Sequence, residues 1–285
     1  MKFAATLCGL TGLLGLALAA APIKNDGILA DIVVPDKYII DTGIRTTHVE
    51  FEGRAVWGAN FIAGSRNTDE HGHGTHVAGT VAGKTYGVAK RATVVAVKVL
   101  DQNGSGTMSG VILGLSWAVN NAKARGIAKK AVVNMSLGGS FAASLNAAVK
   151  AATDAGLTVV VSAGNSNANS ALYSPASAPS AITVGAVEGT NYRAWFSNFG
   201  SLVDIFAPGV STLSAYHLSN TGSRYLAGTS MASPHVAGLA AYFIAKEILS
   251  GSIAVTNRIL GAAVSGVVGD PQGSWDRVAY NACGA

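Results

Sequence analysis

The chain is short of charge. Asp, Glu, Lys and Arg make up 12% of its 285 residues, about half the ~25% of an average soluble protein. With 49% hydrophobic residues beside so little charge, disorder is excluded over most of the length. Cysteine is nearly absent, at two residues, which excludes a disulfide-dense scaffold. Basic runs stop at pairs such as Lys90-Arg91 and Lys129-Lys130, so no basic patch points to nucleic acid. Beyond the first two dozen residues no apolar run is long enough to span a bilayer. Glycine is abundant at 35 residues, but it follows no G-X-Y period, so a collagen is excluded. A compact, turn-rich globular body with a large core remains.

The first residues do not belong to that body. Met1-Lys2 is a short basic start, Phe3 to Ala21 is nearly continuous Leu, Ala and Gly, and Ala17-Leu18-Ala19-Ala20-Ala21-Pro22 ends it in small residues. This is the anatomy of a secretory signal over residues 1–21, cleaved near residues 19 to 21, and not of a retained membrane anchor. Its removal takes Lys2 and Cys8 and leaves a formal charge of +4. Cys283 then has no partner for an intrachain disulfide, so an extracellular location is expected from the leader alone.

Further on, short β-rich runs alternate with helical patterns. Val94 to Leu100, Ala131 to Leu137, Leu157 to Ala163 and Ala181 to Val187 are continuous apolar runs of strand length, as in a sheet covered on both faces. Ser109 to Arg125 carries Ile112, Leu115 and Val119 at helical spacing and stops at Gly126; Leu145, Ala148, Val149 and Ala152 repeat the pattern before Gly156. Strand and helix in alternation predict an α/β fold, a doubly wound, mainly parallel sheet with helices on both faces. In such sheets functional residues lie beyond the carboxyl ends of the strands.

Three turns of that kind carry reactive side chains. Asp41-Thr42-Gly43 ends an apolar run; His71-Gly72-His73-Gly74-Thr75-His76 enters a helix; Gly228-Thr229-Ser230-Met231-Ala232-Ser233-Pro234 starts another. A serine nucleophile needs a base, and the base needs a carboxylate to fix its tautomer. Other chemistries fit parts of this set. An aspartic dyad would need a second Asp-Thr/Ser-Gly, which is absent, so only a dimer could supply it. A zinc hydrolase could use His71, His73 and His76, but no H-E-x-x-H arrangement accompanies them.

The three turns, in the order Asp, His, Ser, resemble the signatures of the subtilisin-like serine proteases, and the chain is most similar to the secreted fungal proteinase K and oryzin branch. The resemblance runs from about residue 38 to 285 and includes Lys84 to Lys90, Asn134 to Gly139 and Tyr173 to Ser177. It implies a three-layer fold and a secreted endopeptidase, made as a zymogen and acting as a monomer on protein or peptide substrates. No nucleic acid partner is implied, and no membrane after signal cleavage. It makes Ser230 the nucleophile, His73 the general base, Asp41 its orienting carboxylate and Asn165 an oxyanion donor beside the Ser230 backbone N–H. His71 is expected to be exposed and incidental, and His76 a packing residue.

Gly104, Ser105 and Gly106, with Ser136, Leu137 and Gly138, match the two segments that hold an extended peptide. Ala163 and Gly164 match the wall of the primary specificity pocket. With no acidic side chain in these segments, broad specificity for bulky apolar or aromatic residues before the cleaved bond is expected. No cofactor is implied for the chemistry. Pro179, Ala181 and Asp204 match a structural calcium site of two carbonyls and one carboxylate, a donor type suited to Ca²⁺; an ordinary solvated aspartate is the alternative at Asp204. Sequons at Asn103 and Asn134 are discounted, one lying in the substrate segment and the other in a buried run.

One stretch departs from the family. Ile32 to Ile39 resembles the opening strand of the inhibitory propeptide, and it runs directly into Asp41 without the intervening propeptide and N-terminal segment. Residues 22–39 are therefore assigned to a propeptide remnant, and residues 40–285 to a peptidase domain lacking its usual beginning. A skipped exon or faulty gene model accounts for the join, and this chain is expected to fold poorly and, in the extreme, to be catalytically incompetent.

Overall fold

A computed structural model describes residues 36–282. The expected signal over residues 1–21, residues 22–35 of the expected remnant and Cys283 lie outside the described residues. Strands β1 (Lys37–Asp41) and β2 (Ala55–Asn60) precede helix α1 (His73–Ala82), and β3 (Val94–Lys98) leads into α2 (Met108–Ala124). Then come β4 (Val132–Met135), the short β5 (Gly139–Ser140) and α3 (Ala143–Asp154). Next are β6 (Thr158–Ser162), β7 (Tyr173–Ser174), β8 (Ile182–Val187) and β9 (Ile205–Pro208), followed by the hairpin β10 (Thr212–Ala215) and β11 (Ser223–Leu226). The chain closes with α4 (Thr229–Glu247), α5 (Ser252–Ala262), β12 (Val264–Ser265) and β13 (Arg277–Val278).

Nine strands form one sheet in the order β12-β13-β9-β8-β6-β4-β1-β3-β2, parallel throughout except for the β12–β13 edge pair. This is the doubly wound α/β architecture expected. Its two faces divide the apolar residues by strand alternation. Ile39 of β1 packs with Val77 and Val81 of α1, Val236 and Phe243 of α4 and Ile259 of α5. Its neighbours Tyr38 and Ile40 point the other way, into Leu115 and Ala118 of α2 and Leu145 and Val149 of α3. Each such fully buried side chain contributes roughly 1.5–3 kcal/mol relative to exposure, which is why a strand with no polar alternation is stable here.

The apolar runs overestimate strand length. Pairing stops at Lys98, Met135 and Ser162, not at Leu100, Leu137 and Ala163. Apolarity reports burial, and the residues just past each strand remain partly or wholly buried while leaving the ladder. Helix α2 starts one residue early, at Met108, because Thr107 caps it by accepting a hydrogen bond from Gly110 N at 3.0 Å.

The sheet order brings the important strand ends together. β3, β1, β4 and β6 are consecutive, so the turns after them share one edge. The chain winds to one side of β1 through β2 and β3 and to the other through β4 and β6, which makes this the topological switch point where parallel sheets hold ligands. At the opposite end of β1, Lys37 is fully buried, and burial holds its ammonium well below the ordinary lysine range against the pull of Asp36.

Candidate active site

Asp41 is the last residue of β1 and is fully buried. His73 is the first residue of α1. The two meet because the turn between Asp41 and Gly43 passes against the start of that helix: a Cβ on Gly74 would lie 2.1 Å from Gly43 O, so only glycine allows the approach. His73 Nδ1 and Asp41 Oδ1 are 2.8 Å apart. A carboxylate only accepts, so Nδ1 carries the proton and Nε2 keeps its lone pair for a substrate-side partner. Asp41 Oδ1 also accepts from Thr42 N at 2.7 Å, and among the described residues buried Oδ2 receives no donor. Burial disfavours the charged ring, yet the charge and hydrogen bond of Asp41 and the charge of Asp69 outweigh it, and His73 is held above the ordinary histidine pKa.

Ser230 is the second residue of α4. Its backbone N–H belongs to the helix's first turn, where donors have no intrahelical acceptor and the macrodipole favours an anion. Its hydroxyl donates to Ser136 O at 3.3 Å, and among the described residues it shares no hydrogen bond with His73.

Four residues further along α4, Pro234 has no N–H to offer the Ser230 carbonyl. Ser136 Oγ fills that place, donating to Ser230 O at 2.9 Å. It is itself supported by Asn134 Nδ2 at 2.9 Å and by the Ser233 hydroxyl at 2.8 Å. Because the Ser136 hydroxyl spends its single proton on Ser230 O, Ser233 must be the donor of that last pair.

Asn165 follows β6 and is exposed. Its Oδ1 accepts from Thr229 N at 2.8 Å and Thr229 Oγ1 at 2.9 Å. A backbone N–H fixes which end of the amide is oxygen, so the NH₂ group is the free end beside the Ser230 turn. Gly164 takes φ +103°, and a Cβ there would strike Asn198 Nδ2 at 2.3 Å. Asn198 anchors this turn, donating to Ala163 O and accepting from Ser166 N and Ala168 N.

Two joined clefts run across these turns. The larger, about 500 Å³, is lined by His73, by Gly104, Ser105 and Gly106, and by Ser136, Leu137 and Gly138. The smaller, about 230 Å³, is lined by Ser230, Ala163, Gly164 and Asn165. Leu137, Gly138, Gly139 and Ser174 belong to both. No charged side chain lines the smaller cleft. Every residue singled out for catalysis or substrate binding therefore lies on this one edge of the sheet.

The residues matched to a calcium site lie elsewhere. Ala181 and Pro179 precede β8, and Asp204 precedes β9 beside it. Asp204 Oδ2 accepts from Thr183 N at 2.8 Å, and burial pushes its carboxyl up to about 6 against that hydrogen bond and Arg277. This carboxyl is half-buried, and a carboxylate is a donor type suited to a hard cation.

Three features differ from expectation or were missed. His71 is half-buried, not exposed, and lines the larger cleft, with its ring centroid 6.2 Å from that of His73. The Gly72 turn rotates it inward. His76 does more than pack: its Nε2 lies 3.1 Å from Thr212 O and 3.0 Å from Arg224 O, clasping the β10–β11 hairpin to α1. The three histidines thus diverge, and among the described residues no group of three or more His, Cys, Asp or Glu converges as metal ligands. Asp69, buried and hydrogen-bonded throughout the turn before α1, was missed. An Asx-type cap ahead of a glycine-led helix was the available signal.

The model of the subtilase family matches residues 38–258. Over 248 residues the chain is 56% identical to a subtilisin-like protease 2 of Pseudogymnoascus destructans, covering 87% of this chain and 61% of the relative. It is 51% identical over 251 residues to a cuticle-degrading serine protease of Arthrobotrys oligospora, covering 86% and 60%. The chain thus spans about three-fifths of the length of the curated relatives it matches. A crystal structure of a cold-adapted subtilisin-like serine proteinase superposes with a TM-score of 0.82 at 42% identity, covering 87% of this chain and 89% of that one.

Proposed function

The chain belongs to the subtilase family, and from that premise we propose that it is a secreted serine endopeptidase using Asp41, His73 and Ser230. The observation that carries this reading is the 2.8 Å Asp41–His73 pair beside a cleft that shares Leu137, Gly138, Gly139 and Ser174 with the cleft lined by Ser230. Ser230 Oγ attacks the scissile carbonyl while His73 Nε2 takes the hydroxyl proton, and Asp41 stabilises the imidazolium without taking that proton. The oxyanion receives the Ser230 N–H and the Asn165 NH₂, donors set in place before charge develops. The C–N bond then breaks as His73 returns the proton to the leaving amine. Water repeats the sequence on the acyl-enzyme, with His73 again as base, and frees Ser230.

Extended substrate lies between Gly104–Gly106 and Ser136–Gly138 as an added strand. The side chain before the cleaved bond enters the smaller cleft. Its uncharged lining supports bulky apolar or aromatic residues there. Secretion by the leader over residues 1–21, synthesis as a zymogen and action as a monomer belong to the same reading. So does a structural calcium held by the carbonyls of Pro179 and Ala181 and the carboxylate of Asp204, where it would offset the buried charge. The calcium takes no part in the chemistry.

A second reading, a chain that folds poorly and is catalytically incompetent, has one observation in its favour: the fully buried Lys37 where β1 enters the sheet. Casein hydrolysis by the 285-residue chain separates the two. Activity abolished by a serine-directed inhibitor and untouched by 1,10-phenanthroline supports the peptidase. Absent activity supports the second reading, and loss to the chelator alone would favour a zinc hydrolase.

A further inference from the structure

We propose that Asp69 is a positioning residue for the Asp41–His73 pair, acting through Thr42 and the first turn of α1. The inference deepens the peptidase reading and rests on it for the role of His73. Asp69 is 3% exposed and accepts five hydrogen bonds. Oδ1 takes the Thr42 hydroxyl at 2.8 Å, His71 N at 3.0 Å and Gly72 N at 2.7 Å. Oδ2 takes Thr75 N at 2.9 Å and Thr75 Oγ1 at 2.6 Å. One carboxylate therefore fixes both sides of His73 along the chain.

Thr42 transmits this hold. Its N–H donates to Asp41 Oδ1 at 2.7 Å, its Oγ1 accepts from Gly74 N at 2.9 Å, and its carbonyl accepts from buried Lys98 Nζ at 2.7 Å. With Gly74 N–H already occupying the oxygen as donor, the hydroxyl proton is directed to Asp69. This relay through Thr42 locks the β1 end to the α1 start, and it sets the distance between Asp41 and His73.

Asp69 also adds a second negative charge near the imidazole. The groups facing this region are Asp41 from β1, Asp69 and His71 from the turn, and His76 within α1. Lys98 from β3 lies 3.9 Å from Glu70, and Asp101 follows it. His217 approaches from the hairpin. Among these anions, Asp69 is the one besides Asp41 whose charge reaches the His73 ring.

The test is Asp69→Asn, with the His73 ring titrated by NMR in the free enzyme and kcat and KM measured on a peptide amide. The His73 midpoint is expected to fall, since one nearby negative charge is lost. kcat is expected to fall by about tenfold to a hundredfold with KM nearly unchanged, the signature of lost positioning. A folded Asp69→Asn with an unchanged His73 midpoint overturns the proposal. Should that variant fail to fold, Thr42→Val and Thr42→Ser decide: about tenfold loss of kcat in the first, restored in the second, supports the relay, and a Val variant matching the parent overturns it. The titration needs no turnover, so it stands apart from any failure of the peptidase reading, which an inactive parent chain would reveal.

Discussion

The two halves of the proposed active site are built differently. The Asp41–His73 half is closed: a buried carboxylate, a 2.8 Å pair, and a hydrogen-bonded frame of Thr42, Asp69 and Lys98 beneath it. The Ser230–Asn165 half is open. Its hydroxyl makes a 3.3 Å contact to Ser136 O and its asparagine is exposed with a free NH₂. The difference follows from what each half meets. A carboxylate must stay charged in a dry place, so its donors are built in. In the proposed reaction the nucleophile and oxyanion donors face a substrate, and their missing partners are groups that the substrate would bring.

The largest break in this contrast is removal of the open half's one reactive atom. Ser230→Ala should lower kcat by on the order of 10⁶, as loss of a triad nucleophile does. Asp41→Asn, which keeps the shape of the closed half but reverses the tautomer it selects, should cost about 10⁴ in kcat. Asn165→Ala should cost ~10²–10³ in kcat with little change in KM, because its NH₂ is engaged only as charge develops. Steady-state kinetics on one peptide amide measures all three.

Smaller effects sharpen the comparison through pH and stability. The closed half holds His73 above the ordinary histidine value of about 6.5, and catalysis needs its neutral form. kcat/KM should therefore fall with decreasing pH through a midpoint above 6.5. His76, by contrast, is pushed down to about 4 by burial despite its two carbonyl partners. A lowered folded-state value means the unfolded chain binds the extra proton first. Its contribution to stability is complete above pH 6.5 and is lost as pH falls towards 4, which denaturation midpoints over that range would register.

Much of the closed half was legible as residue types at strand ends, because Asp-Thr-Gly and the His-Gly turn are local patterns. The parallel sheet was legible from continuous apolar runs, and the edge on which the turns meet follows from the strand order. What stayed hidden was long-range. Nothing near Ser136 announces that its hydroxyl replaces the helix donor lost to Pro234, 98 residues away by number. Asp69 carries a local cap signal, but its link to Asp41 runs through Thr42 and leaves no period in the chain. His71 was misjudged because a polar residue between Glu70 and Gly72 reads as surface, whereas it lines the cleft.

The most direct measurement is active-site labelling of the 285-residue chain with a fluorophosphonate, followed by peptide mass mapping. The adduct should form on Ser230 alone, its rate should rise with pH as His73 loses its proton, and Ser230→Ala and His73→Ala should abolish it. An adduct on another serine, or casein hydrolysis that persists in Ser230→Ala, would contradict the account.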